Sequence, residues 1–255
     1  MAGIECVIEA DGRREKGLTM ENGNYCSGLP SHAALKAALI GARQQSNGGF
    51  NLDMWGAIVN RDGIVCAVAF TGVDRGSQWP GSRVIAAQKA NTANAFSLSQ
   101  LALSTANLYT VSQPGGTLFG LQHSNPVDTA AAYGGDPATY GQANDPMVGK
   151  RVGGVNVFGG GLALYNSEGV LIGALGVSGD SSCADHNVAW RTRNNLHLDY
   201  VPAGVSGDPA RPDNIVYDLT HGGISSGVSE SGWGHPACSD DATSIAMSLP
   251  PIPGR

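Results

Sequence analysis

Two pairs of apolar runs, each broken by a tight turn, limit what this chain can fold into. "MWGAIVNRDGIVCAVAF" sets the β-rich runs 54–60 and 64–70 on either side of Asp62-Gly63, and "GGLALYNSEGVLIGALGV" repeats the pattern around a turn at 166–169. Asp-Gly between such runs signals a hairpin, because glycine adopts the left-handed angles that a two-residue turn requires. Two hairpins imply one antiparallel sheet, and its apolar surface has to be covered by helices.

The helices can be placed from period and caps. Ser31 is set to cap a helix in which Leu35, Ala38, Leu39 and Ala42 recur at helical spacing, with Asn47-Gly48-Gly49 to end it. Ser82 is placed to cap a second, whose Ala86, Ala90 and Ala93 form a narrow stripe that lets a helix approach a sheet closely. A further helical stretch is expected over 98–108. From 109 to 151 the chain is rich in Gly, Pro, Asn and Asp without a stable period, as in "AAYGGDPATYGQANDP", and is expected to be a structureless excursion over the surface. The expected fold is therefore α+β, one antiparallel sheet of about five strands flanked by helices. An N-terminal arm (1–30) precedes a domain (31–198) carrying the long loop, and a Gly-, Ser- and Pro-rich extension (199–255) packs on it.

Composition removes several classes of partner. With a net charge of −6 and no basic run, the chain has no electrostatic footprint for nucleic acid. No apolar run approaches the roughly 18–20 residues that span a bilayer, so no membrane partner is expected. As written, the sequence places the chain in the cytoplasm, or in an exported, periplasmic setting if a signal peptide has been trimmed from it. Of the five cysteines, Cys66 lies inside an apolar strand and reads as a small buried hydrophobe, while Cys6, Cys26, Cys183 and Cys238 could make up to two disulfides.

The second hairpin runs directly into "GALGVSGDSSCADHNVAW". Gly176 and Gly179 permit a sharp strand-to-helix turn, and Ser182 with Asp185 matches a capping box. Cys183 and His186 are spaced C-x-x-H, and His235 and Cys238 in the tail repeat the spacing in reverse. These four could close a tetrahedral zinc site, or a Cys183–Cys238 disulfide could leave both histidines free. The turn also offers backbone amides and the positive end of a helix dipole, a seat for a carboxylate or a porphyrin propionate. Lys89, unusual on an alanine-rich face, is a candidate base or anion contact, and Arg75 and Arg83 are candidate carboxylate ligands. The nucleophile-elbow pattern fails at Asp180, and no phosphate loop or dinucleotide fingerprint is present.

The segments "AAQKANTANAF" (86–96) and "GGGLALYNSEGVLIGALGVSGD" (159–180), with Asp185, resemble the haem-binding family that includes GlcG, HbpS and the C-terminal domain of PduO-type proteins. The resemblance spans 31–193 and matches Lys89, Thr92, Gly176, Val177, Ser178 and Gly179 to family positions. It implies haem binding, for sensing, carriage or slow degradation, and assembly as a homo-oligomer. The loop 109–151 and the tail are longer than in the short family members. On this reading His186 is the first candidate for the iron, with His32, His123, His221 and His235 behind it, and His123 contributes to a lid. The alternatives are an enzyme that turns over a small organic acid at the Gly-Val-Ser-Gly turn, using Lys89, Asp185 and His186 as acid or base, and an interaction protein with a structural zinc or disulfide staple.

Overall fold

Both hairpins form, and the first strand of the first pairs with the second strand of the second to make one sheet. In the computed structural model of the chain, which describes residues 25–220 and 228–254, helix α1 (His32–Arg43) is followed by strands β1 (Trp55–Asn60) and β2 (Val65–Phe70) and helix α2 (Ser82–Ala95). Short helices α3 (Tyr109–Ser112) and α4 (Thr129–Tyr133) and a 3-10 turn (Pro137–Thr139) lead to β3 (Gly161–Tyr165), β4 (Leu171–Ser178) and helix α5 (Ser182–Asn195). The tail adds β5 (Leu219–Thr220), β6 (Val228–Ser229) and helix α6 (Ala242–Ser248). The main sheet has four antiparallel strands in the order β2-β1-β4-β3, and β5 and β6 form a separate pair. The expected count of about five strands becomes four in the main sheet, because the tail supplies only its own two-residue pair.

Strand alternation divides the core into two layers. Trp55, Ala57 and Val59 of β1 and Phe70 of β2 pack on Ala86, Ala90 and Ala93 of α2. Ile58, Ala67, Ala69, Leu175 and Val177 point the other way, onto Leu35 and Leu39 of α1 and Val188 and Trp190 of α5. Gly176 of β4 is where the alanine stripe matters most: a Cβ there would run into the Ala86 carbonyl and lie 2.5 Å from the Ala90 amide. Small residues on both sides let α2 lie against the sheet at this point.

Several local expectations change. No helix forms over 98–108: the Ser97 hydroxyl takes the Leu103 amide, the Asn107 side chain takes the Ser104 amide, and Leu98 bridges Leu101. Side chains that bond the nearby backbone compete with a helix, and here they win. The excursion 109–151 is structured, since Asp128 and Asp136 cap its short helices and Asp145 anchors it. Gly81, not Ser82, precedes α2, and no side chain caps that helix. Asp185 and Ser182 do not form a reciprocal box, because the cap falls one residue earlier, on Ser181, whose hydroxyl accepts from the Ala184 amide. The Ser31 cap and the buried stripe of α1 stand as expected.

Cys66 is not a free apolar residue but half of a disulfide with Cys26. The bond ties the segment before α1 to β2, and the Asn60 side chain supports it by donating to the Tyr25 carbonyl. Residues 1–24, including Cys6, lie outside the described residues. The Cys26–Cys66 separation of 40 residues corresponds to about 3–4 kcal/mol of loop-closure stabilisation. Cys26→Ala/Cys66→Ala should therefore lower the unfolding free energy by about that amount in urea denaturation, with the far-ultraviolet circular dichroism unchanged.

Candidate functional site

The strand-to-helix turn is built around a buried ion pair. Lys89 Nζ lies 2.6 Å from Asp185 Oδ2 and 3.1 Å from the Val177 carbonyl. The other Asp185 oxygen accepts from the amides of Gly179 and Asp180 at 3.0 and 2.8 Å. Gly160 covers the pair, and with a φ of +117° it holds a backbone that leaves room for the lysine: a Cβ there would lie 3.1 Å from Nζ. Burial works against both charges, lowering the Lys89 ammonium and pushing the Asp185 carboxyl up to about 6, and each residue's charge opposes the shift of the other.

This geometry fills the seat that the sequence suggested for a ligand. The amides of Gly179 and Asp180 serve Asp185, the Val177 amide serves the Gly160 carbonyl, and Ser178 is buried at the end of β4. Gly176 and Gly179 are packing positions, pressed against α2 and against the Asp53 carbonyl. Lys89 and Asp185 are buried, at 1% and 3% exposed, and each is engaged by the other. The amides of Gly179, Asp180 and Val177 are thus all engaged within the protein.

His186 is fully buried one turn into α5. Its Nε2 accepts from the Ile215 amide at 3.1 Å and faces Asn214 Oδ1, while Nδ1 has no partner. Burial, outweighing nearby Asp213, lowers its pKa to about 3. His235 lies elsewhere, with Nε2 2.7 Å from Ser182 Oγ and Nδ1 2.7 Å from the Pro236 carbonyl. Cys183 and Cys238 are joined in a disulfide, so the four-ligand zinc arrangement does not form: the sulfurs are bonded to each other, and His186 stands apart from the group of Cys183, His235 and Cys238. His32 is bonded to the Gly141 carbonyl, and His123 is exposed in a turn. His221 falls outside the described residues.

Open space lies on the other side of α2. A cleft of about 390 Å³ is lined by Trp55, Pro80, Val84, Tyr133, Pro137 and Tyr140, with Arg75 and Arg83 among them. The two arginines differ. Arg83 is buried, paired through both ends of its guanidinium with Asp145, bonded to the Ala132 carbonyl and stacked 3.6 Å from the Tyr140 ring centre. Arg75 is exposed at the rim. One wall comes from the loop before α2 and the opposite wall from the excursion, through Tyr133, Pro137 and Tyr140. The sequence identified the two arginines but not these aromatic residues, because an aperiodic loop gives no sign of which of its side chains turn inward. Asp145 and Asp213 were equally silent; only a count of buried cations needing acids would have pointed to them.

The fold is an α+β domain whose four-stranded sheet is elaborated by one long insertion and a tail. A family model described as haem degrading protein HbpS-like matches residues 31–193, and the chain belongs to that family. Similar solved structures include a PduOC:heme complex, at 25% identity and a TM-score of 0.46, covering 66% of this chain and 94% of that one. Klebsiella pneumoniae protein ORFY gives 22% identity and a TM-score of 0.43, covering 66% and 90%, and HbpS gives 16% and 0.40, covering 64% and 84%. No curated protein sequence matches this chain.

Two measurements follow from the buried groups. Lys89→Met strands a buried carboxylate and should cost about 3–5 kcal/mol in chemical denaturation, whereas Lys89→Met/Asp185→Leu should recover a large part of that loss. His186 is depressed in the folded state, so its contribution is complete above the unfolded value of 6.5 and is lost as pH falls toward about 3. Stability measured from pH 7 down to pH 4 should thus fall by up to about 1.4 kcal/mol per pH unit from this group, and the difference between wild type and His186→Gln should carry that slope.

Proposed function

We propose that the chain binds haem reversibly in the cleft between α2 and the excursion, as a carrier or sensor. Membership of the HbpS-like family over residues 31–193 is the observation that carries this reading. A porphyrin asks a site for a flat apolar slot, a cation for its propionates and an electron-pair donor for its iron. The cleft meets these needs with walls of Trp55, Tyr140, Pro80 and Pro137, with Arg75 on the rim, and with the phenol of Tyr133, which is 61% exposed at the mouth.

Tyr133 would supply the ligand, since phenolate is an established type of haem axial donor and no described histidine lines the cleft. Arg75 would meet a propionate, while Arg83 stays with Asp145 and holds Tyr140 in place through its stacked guanidinium. When bound, haem supplies an iron centre able to exchange electrons and small ligands. The open mouth favours binding over turnover, as does the engagement of the other phenol in the lining, Tyr140, with the Tyr133 and Gly134 carbonyls. Two disulfides support an oxidising compartment for the folded chain.

A haemin titration read at the Soret band tests this. Wild type should saturate at one haem per chain. Tyr133→Phe should change the spectrum, and Arg75→Glu should weaken binding about tenfold or more, the scale of one charge-assisted contact. His186→Gln should leave the titration unaltered. A flat titration, or one indifferent to both cleft variants, would sink the proposal.

A further inference from the structure

Away from the cleft, the tail brings a second kind of chemistry to the start of α5. One ligand atom each from Cys183, His235 and Cys238 lies within 4.8 Å of the others. Ligands about 2.0–2.3 Å from one tetrahedral ion stand roughly 3.3–3.8 Å apart, so small side-chain movements would separate two unbonded sulfurs to that spacing. The histidine is already oriented. Its two nitrogens are held by Ser182 Oγ and by the Pro236 carbonyl, and whichever one turned to a metal, the other would keep a partner that fixes the ring.

The disulfide that occupies this place is open to exchange. Cys238 is exposed whereas Cys183 is 3% exposed, so an incoming thiolate reaches Cys238 first and expels Cys183. Cys183 sits in the first turn of α5, where the helix dipole favours a thiolate, and its amide donates to Cys238 Sγ at 3.2 Å.

We propose that reduction of the Cys183–Cys238 disulfide creates a site for a zinc-class divalent ion, held by both thiolates and one ring nitrogen of His235. The reductant is a dithiol. Its first thiolate bonds to Cys238 sulfur as the Cys183–Cys238 bond breaks; its second displaces Cys238 and leaves as a cyclic disulfide. Two electrons pass to the protein, the two thiol protons of the dithiol pass through solvent to the freed cysteine sulfurs, and the metal displaces those protons when the metal–sulfur bonds form. Water completes the coordination, because His186 stands apart from the group of Cys183, His235 and Cys238.

The test uses the full chain and cobalt(II) as the probe, before and after treatment with dithiothreitol and its removal under anaerobic conditions. Reduced wild type should bind one cobalt per chain, with a thiolate-to-cobalt charge-transfer band in the near ultraviolet, and the oxidised protein should bind at least about tenfold more weakly. His235→Ala should weaken binding about 10–100-fold, Cys183→Ser/Cys238→Ser should abolish the band, and Cys26→Ala/Cys66→Ala should keep it. Where a variant fails to fold, wild type alone decides: zinc should slow iodoacetamide labelling of Cys238 in the reduced protein. Reduced wild type without the band, a band that survives Cys183→Ser/Cys238→Ser, or labelling indifferent to zinc would overturn the proposal.

Discussion

Of the four cations buried in α2 and α5, Arg191 is met by the side chains of Gln45 and Asn47 and the other three each by an acid, and the path of the chain follows from where those acids come from. Lys89 is met by Asp185 across the two helices, Arg83 by Asp145 from the excursion, and Arg193 by Asp213 from the tail. A lone charge in such surroundings costs several kcal/mol, so each acid is tied to its place. The excursion and the tail differ greatly in composition from the domain they cover, yet each is pinned by one carboxylate. The insertion can thereby form a wall of a cleft without a core of its own.

The sheet and its helices were legible in the sequence because their signals are local. The Asp62-Gly63 turn, the Ser31 cap and the spacing of Leu35, Ala38, Leu39 and Ala42 each specify structure within a few residues. What escaped was set by partners far along the chain. Cys66 looks apolar in its own strand and becomes a disulfide only because Cys26 crosses to it. Lys89 and Asp185 looked like catalytic groups because ionisable residues in a glycine-rich motif invite that reading, but they satisfy each other 96 residues apart. The cleft was half legible: Arg75 and Arg83 stand beside the start of α2, while Tyr133 and Tyr140 lie in a loop without a period.

Glycines in the second hairpin serve packing more than ligand binding. Gly160 clears the space above Lys89, Gly176 admits α2, and Gly179 lets the turn pass beside β1. A motif of this kind is fixed by the shape of the interior.

The outer side of β3 has a further consequence. Gly161 exchanges hydrogen bonds with Thr105, the Ala163 carbonyl accepts from the Arg193 guanidinium, and the Tyr165 amide donates to the Leu198 carbonyl. These are the backbone groups that an edge strand would otherwise hold out to another chain. The same arginine that demands Asp213 therefore helps to seal that border against strand addition. An extended peptide or a second copy has no ladder to join there, and on the β2 side residues 149–150 already pair with Val65 while Ala67 and Ala69 are buried.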